Sequence, residues 1–225
     1  MQQHPFSKSY SRLSAARIEF RYFKDLVTPE ALSIARQIPR FPALEDIYSF
    51  YIDTCRPDAL QLWFGNRSMF RTDASGKVAA EKGGTLLYTL GPEGRVAVIL
   101  YPATSDLSKP YEDHIYLRIG FYSGYQLHTM FRRNIKDLVS YCHVTSLDGD
   151  PTFLEKTRIC WLRWTHPFQL KGEFKRAKIF QFAGKASEFT FRSMLIALLK
   201  PLAIIIAIIF LIYFGAPHLA EFLRP

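Results

Sequence analysis

Asp148-Gly149-Asp150 sets two carboxylates one residue apart, a spacing at which both can reach a single divalent cation. The same residues, followed by Pro151, also make an ordinary turn, and the turn is the plainer reading. Glu112-Asp113-His114 offers a histidine base oriented by a carboxylate. No nucleophile or phosphate-binding glycine loop accompanies it, because Gly83-Gly84 lacks the Lys-Ser/Thr that such a loop needs. His114, His128, His143 and His166 lack the i, i+4 pairing of a helical zinc site. Cys55, Cys142 and Cys160 match no zinc spacing, and their odd number argues against a disulfide framework, which leaves reduced, mostly buried thiols as the expectation. No metal or cofactor is expected. The catalytic candidates for a membrane-surface enzyme reduce to Asp148, Asp150 and His114.

A different kind of signal lies near the end of the chain. Residues 194–214 read MLIALLKPLAIIIAIIFLIYF, 21 residues interrupted by one charge, Lys200, and one proline, Pro201. About 20 apolar residues cross a bilayer, so this stretch predicts a transmembrane helix followed by a short tail over 215–225. Lysine near a helix end can carry its ammonium to the interface, and neighbours can compensate for the proline. Ser193, Ala197, Lys200, Ala203 and Ala207 fall on one arc of about 120° at 100° per residue. Small residues let membrane helices approach closely, so this arc is a candidate packing or pore-lining face; a monomeric anchor is the alternative.

Charge orients the span. The chain carries a formal net charge of +9. Residues 156–192 hold nine basic and two acidic side chains, most of that excess, just ahead of the span. Lys171, Lys175, Arg176, Lys178, Lys185 and Arg192 are the candidates for contact with anionic lipid headgroups, interleaved with phenylalanines. Nucleic acid is the weaker reading of the same pattern. Basic residues stay on the cytoplasmic side, which places the N-terminal portion in the cytoplasm of a single-pass protein. Residues 1–30 contain no apolar core of a secretory signal.

The elements that must position these residues fall into two textures. Residues 1–70 read as helical, with helices over 11–26, from Thr28-Pro29-Glu30 through Ile38, and over 43–54; threonine suits the cap and proline the first turn. On the last of these Leu44, Ile47, Tyr48 and Tyr51 share a face, and 58–70 is ambiguous. From Gly83 the apolar period shortens towards two, so 71–170 reads as the α+β core. Strands over 85–90 and 95–101 flank Gly91-Pro92-Glu93-Gly94 as a hairpin. His114 opens a strand on which Ile115, Leu117, Ile119 and Phe121 alternate. Residues 126–141 predict an amphipathic helix with Arg132, Arg133, Lys136 and Asp137 outward. A tryptophan-rich strand over 158–165 and a strand or helix over 174–182 come next.

The fold class expected is therefore α+β: N-terminal helices, an antiparallel sheet with a packed helix, a basic aromatic juxtamembrane segment over 171–193, and one C-terminal transmembrane helix. The function expected is an interaction or ligand-sensing module held at the membrane, with anionic lipids and a protein partner or second copy as its contacts. The alternatives are a pore-forming effector whose membrane helices assemble, and a membrane-surface enzyme using Asp148, Asp150 and His114. Uptake of a membrane-impermeant dye by cells expressing the full chain, but not residues 1–191, marks a perturbing helix; no uptake marks an anchor.

Overall fold

The computed structural model describes residues 5–72, 76–170 and 172–175. They form an α+β fold of helices and antiparallel sheets. Among these residues no helix is long and apolar enough to cross a membrane; the stretch 194–214 lies outside them.

Helix α1, Pro5–Val27, buries Phe20, Phe23 and Val27, which recur at helical spacing. The Thr28 hydroxyl donates to the Lys24 carbonyl and closes this helix. Thr28 therefore does not cap the next one, as the sequence suggested: α2, Ala31–Arg36, has Glu30 at its N-cap with no side-chain cap bond. Helix α3, Phe41–Tyr48, is shorter than expected because Ser49 takes a positive φ of 58° and turns the chain into strand β1, Phe50–Asp53. Tyr51 consequently leaves the helix face and stacks on Trp63 of strand β2, Ala59–Phe64, with ring centroids 5.5 Å apart. Residues 50–72, read from sequence as helical or ambiguous, hold β1, β2 and β3, Asn66–Thr72.

Strands β4, Val78–Lys82, β5, Thr85–Leu90, β6, Val96–Tyr101, β7, Thr104–Ser105, and β8, His114–Gly120, come next along the chain. The hairpin of β5 and β6 forms as expected, closed by Gly91 and by Gly94 at φ +80°. With β9, Phe168–Leu170, and β10, Glu173–Lys175, the described residues make a seven-stranded sheet of order β1-β2-β5-β6-β8-β9-β10. A three-stranded sheet, β3-β4-β7, continues the β2 and β5 chains past Gly65 and Gly83. A Cβ on Gly83 would lie 2.3 Å from the Cβ of Phe64, and one on Gly65 2.5 Å from the Tyr48 carbonyl oxygen, so only glycine fits where the ladder passes between sheets.

Alternation selects the core. Leu60, Leu62 and Phe64, Leu86 and Tyr88, Val98 and Leu100, and Ile115 face one side and are buried with the apolar stripes of α1 and α4. The alternation in β8 fails after Leu117, where the pairing shifts between Val98↔Arg118 and Ile99↔Tyr116. One extra residue in a strand reverses the facing of the residues after it, so Ile119 and Phe121 are exposed instead of sharing the buried face.

Helix α4, Gly124–Thr145, starts at a reciprocal cap between Ser123 and Gln126 and buries Leu127, Phe131, Ile135, Leu138 and Cys142. Asp137, expected outward, is buried. The expected strand over 158–165 is instead helix α5, Phe153–Thr165, nucleated by a second reciprocal cap between Thr152 and Glu155. Cysteine exposure also differs from expectation: Cys142 is buried, whereas Cys55 and Cys160 are exposed.

The small sheet is tied to the helices through Glu81. Its buried carboxylate accepts from the Tyr48 hydroxyl at 2.6 Å, Arg67 Nη2 at 2.6 Å, the Ser146 hydroxyl at 3.0 Å and the Leu147 amide at 2.7 Å. Burial pushes the Glu81 carboxyl up, but these donors together outweigh it and hold the group below its ordinary value. Glu81→Ala should cost about 3–5 kcal/mol by removing the buried acceptor that Tyr48, Arg67, Ser146 and Leu147 share and leaving Arg67 with Asp148 as its carboxylate, a fall in Tm of roughly 6–20 °C for the full chain in detergent. A depressed carboxyl contributes stability above its ordinary value of 4.5, lost as pH falls through the folded value. The deficit of the variant should thus be full at pH 7 and shrink below about pH 4.5.

Candidate functional site

Helix α5 sets Ile159 and Leu162 into the core with charged side chains beside them, and carries a second apolar face outward. Counted from the buried Ile159 at 100° per residue, Glu155, Leu162 and Arg163 point inward, and Phe153, Leu154, Thr157, Cys160, Trp161 and Trp164 occupy the opposite arc. The inward charges meet partners on three other segments. Glu155 accepts from Arg40, ahead of α3. Arg158, at the edge of the inward face, donates to Asp137 of α4. Arg163 donates through Nε to Glu112 at 2.9 Å.

These contacts are costly to build. Asp137 is 3% exposed and Glu112 1%. Taking a carboxylate out of water costs several kcal/mol, recovered only where partners are well placed. Burial raises the Asp137 carboxyl above its ordinary range, against the pull of Arg158. The Tyr141 hydroxyl donates to Glu112 at 2.7 Å, and burial together with that carboxylate pushes the phenol well above its ordinary value. Arg163 also lies over the Tyr111 ring, 5.5 Å from its centroid.

On the outer side, Phe153 is 81% exposed, Leu154 77% and Trp161 56%. The Trp161 and Trp164 rings lie 5.4 Å apart, beside a shallow apolar depression of about 390 Å³ shared with Lys156, Thr157 and Cys160. With aromatic side chains of about 150–250 Å² each, this face leaves on the order of 500 Å² of apolar surface in water, as large as the largest patches that monomers expose. An amphipathic helix ordinarily buries this face and exposes its charges. Helix α5 buries only Ile159 and Leu162 and leaves this larger apolar face in water.

The catalytic candidates stand in separate surroundings. Asp148 is paired with Arg67 at 2.9 Å and Arg71 at 3.1 Å. The carbonyl of Asp150 accepts from Arg40, which fixes the turn after α4 to the start of α3. His114 sits between Tyr101 and Tyr116, with ring centroids 5.1 and 4.8 Å away, and its buried Nε2 has no hydrogen-bond partner. Burial lowers its pKa, disfavouring the imidazolium. The described contacts do not join His114 to either aspartate, and no cluster of three metal-ligating side chains occurs among the described residues. Of the lipid-contact candidates, Lys175 is described and pairs with Glu173 at 2.6 Å. Lys171, Arg176, Lys178, Lys185 and Arg192 lie outside the described residues, as do Ser193, Ala197, Lys200, Ala203 and Ala207.

Sequence reasoning missed the α5 face because a run of aromatic and β-branched residues was taken for a strand. The signal was present: Thr152-x-x-Glu155 is a helix start, and Phe153, Thr157, Trp161 and Trp164 recur at helical spacing behind it.

Comparison with protein-family models, with curated proteins and with solved structures finds no match to this chain.

The inner and outer faces of α5 should respond oppositely to substitution. Arg163→Met leaves Glu112 buried without its cation and should lower stability by about 3–5 kcal/mol in urea unfolding of the full chain in detergent. Phe153→Ser and Trp161→Ser should change it by no more than about 0.5 kcal/mol, as expected for exposed sites. The reverse order would mean that the outer face is packed.

Proposed function

We propose that this chain is a single-pass, C-terminally anchored membrane protein whose α+β domain works as an interaction module on the cytoplasmic face, with the outer face of α5 resting in the bilayer interface. The observation that carries this reading is the outward aromatic face of α5. Tryptophan and phenylalanine favour the headgroup level, where an apolar body and a polar edge are both satisfied. A helix with one apolar and one polar face lies in the plane of that interface.

Two features of the sequence support the same reading. Residues 194–214 are long and apolar enough to span. Only 18 residues separate Lys175 from Met194, a reach of at most about 65 Å, so the domain stays close to the bilayer that the span enters. The basic excess ahead of the span adds attraction to an anionic leaflet, about 1 kcal/mol for each cation near the surface. In this arrangement the span confines the domain, and the α5 face sets how the domain lies. Surfaces away from α5 then remain free for a protein partner or a second copy.

Carbonate extraction of the full chain tests the span: retention in the pellet is expected, and release would remove the anchor. Quenching tests the resting face. In vesicles holding the full chain, a spin label near the lipid headgroup should quench Trp161 and Trp164, and the double variant Trp161→Ser/Trp164→Ser should lose most of that quenching. Equal quenching in both, from Trp63 alone, would mean that α5 faces away from lipid.

A further inference from the structure

Beside α5 lies a groove of about 490 Å³ between α4 and the connection from α2 to α3. Arg132, Arg133 and Lys136 of α4 line it, with Arg158 of α5 and with Gln37 and Pro39 opposite. No acidic side chain lines it. Arg132, Arg133 and Lys136 are exposed and make no ion pair among the described residues. Arg158 donates to Asp137 through Nε, leaving its two terminal nitrogens without a partner there.

Asp137 balances Arg158, which leaves three cations around the groove without an ion-paired carboxylate among the described residues. Lys136 lies four residues after Arg132 and three after Arg133, spacings at which like charges on a helix repel. A planar guanidinium presents a fork of donors that matches phosphate oxygens, and a neighbouring lysine adds a point charge. One phosphodiester carries a single negative charge, whereas a phosphomonoester carries about −1.5 to −2 at neutral pH and offers three acceptor oxygens. The groove therefore suits the monoester.

Position selects the carrier. Along α5, Arg158 lies four residues after Leu154 and three before Trp161, and both of these belong to the outward apolar face. The groove thus borders the surface that meets the bilayer interface. We propose that it binds the phosphomonoester headgroup of an anionic lipid, with Arg132, Arg133 and Lys136 on the phosphate and Arg158 at its membrane edge. The choice of a lipid as carrier rests on the proposed membrane function; the phosphate chemistry rests on the groove alone.

Calorimetric titration of the full chain in uncharged detergent micelles tests this, with short-chain phosphatidylinositol 4-phosphate as the probe. Saturable binding is expected, weakening as salt rises. Arg132→Gln/Lys136→Gln should lose at least tenfold in affinity while keeping its Tm, since both positions are exposed. Short-chain phosphatidylcholine should not bind, and free inositol 4-phosphate should bind at least tenfold more weakly than the lipid. No binding of the lipid probe, or an unchanged affinity in the variant, overturns the groove. Equal affinity for the free inositol phosphate overturns the lipid assignment. Because micelles contain no bilayer, these outcomes are independent of carbonate extraction and of quenching in vesicles. A domain that binds the probe yet shows no quenching would separate the failure of the membrane reading from that of the groove.

Discussion

Helix α5 is held by charges on its inner side. Glu155 to Arg40, Arg158 to Asp137 and Arg163 to Glu112 run from one short helix to the start of α3, the middle of α4 and the entrance of β8. Ion pairs of this kind contribute little net stability, because desolvation offsets most of the attraction. Their effect is on geometry. Each buried carboxylate tolerates only the rotation of α5 that brings its guanidinium to it, and a helix turned by half a circle would strand both carboxylates in the core. The aromatic face is therefore outward because these charges, with Ile159 and Leu162 between them, take the inner side.

The same logic operates at the other end of α4. Glu81, alone in the interior of a short strand, gathers Tyr48, Arg67, Ser146 and the Leu147 amide. Through Arg67 the network reaches Asp148, so the turn that closes α4 is clamped to the small sheet. Between these two polar clusters lies an apolar core of ordinary construction, with Phe23, Tyr88 and Phe131 in ring contact. The core gives the fold its cohesion. The clusters decide which faces of α4 and α5 are left over, and so where the basic groove and the aromatic patch lie. In the proposed function, those two leftovers are the working surface, and the residues that first drew attention as chemistry, Asp148 and Asp150, belong to its scaffold.

Much of the architecture could be read along the chain. The hairpin around Gly91 to Gly94, the start of β8 and the long amphipathic helix α4 all arise from local pattern, because turn glycines and apolar periods act over a few residues. Other readings failed where one preference met a competing contact, local for Thr28 and distant for β8 and α5. Thr28 closes α1 instead of opening α2, since the Lys24 carbonyl is within its reach. The alternation of β8 ends at a register shift that only its pairing with β6 reveals. The aromatic run after Asp150 forms a helix because the cap at Thr152 and the buried partners Asp137 and Glu112 outweigh its strand-like composition.

The sequence by itself determined the α+β class, the apolar stretch over 194–214 and the basic excess before it, since length, hydropathy and charge need no neighbours to be read. It also supplied every residue of the α5 face and of the groove. What only the tertiary structure decided is which of them face water. Exposure is a property of packing: Asp137 and Arg133 lie four residues apart on one helix, and one is buried against Arg158 while the other lines an open groove. No spacing along the chain distinguishes them, because the partner that draws Asp137 inward comes from a different helix 21 residues away.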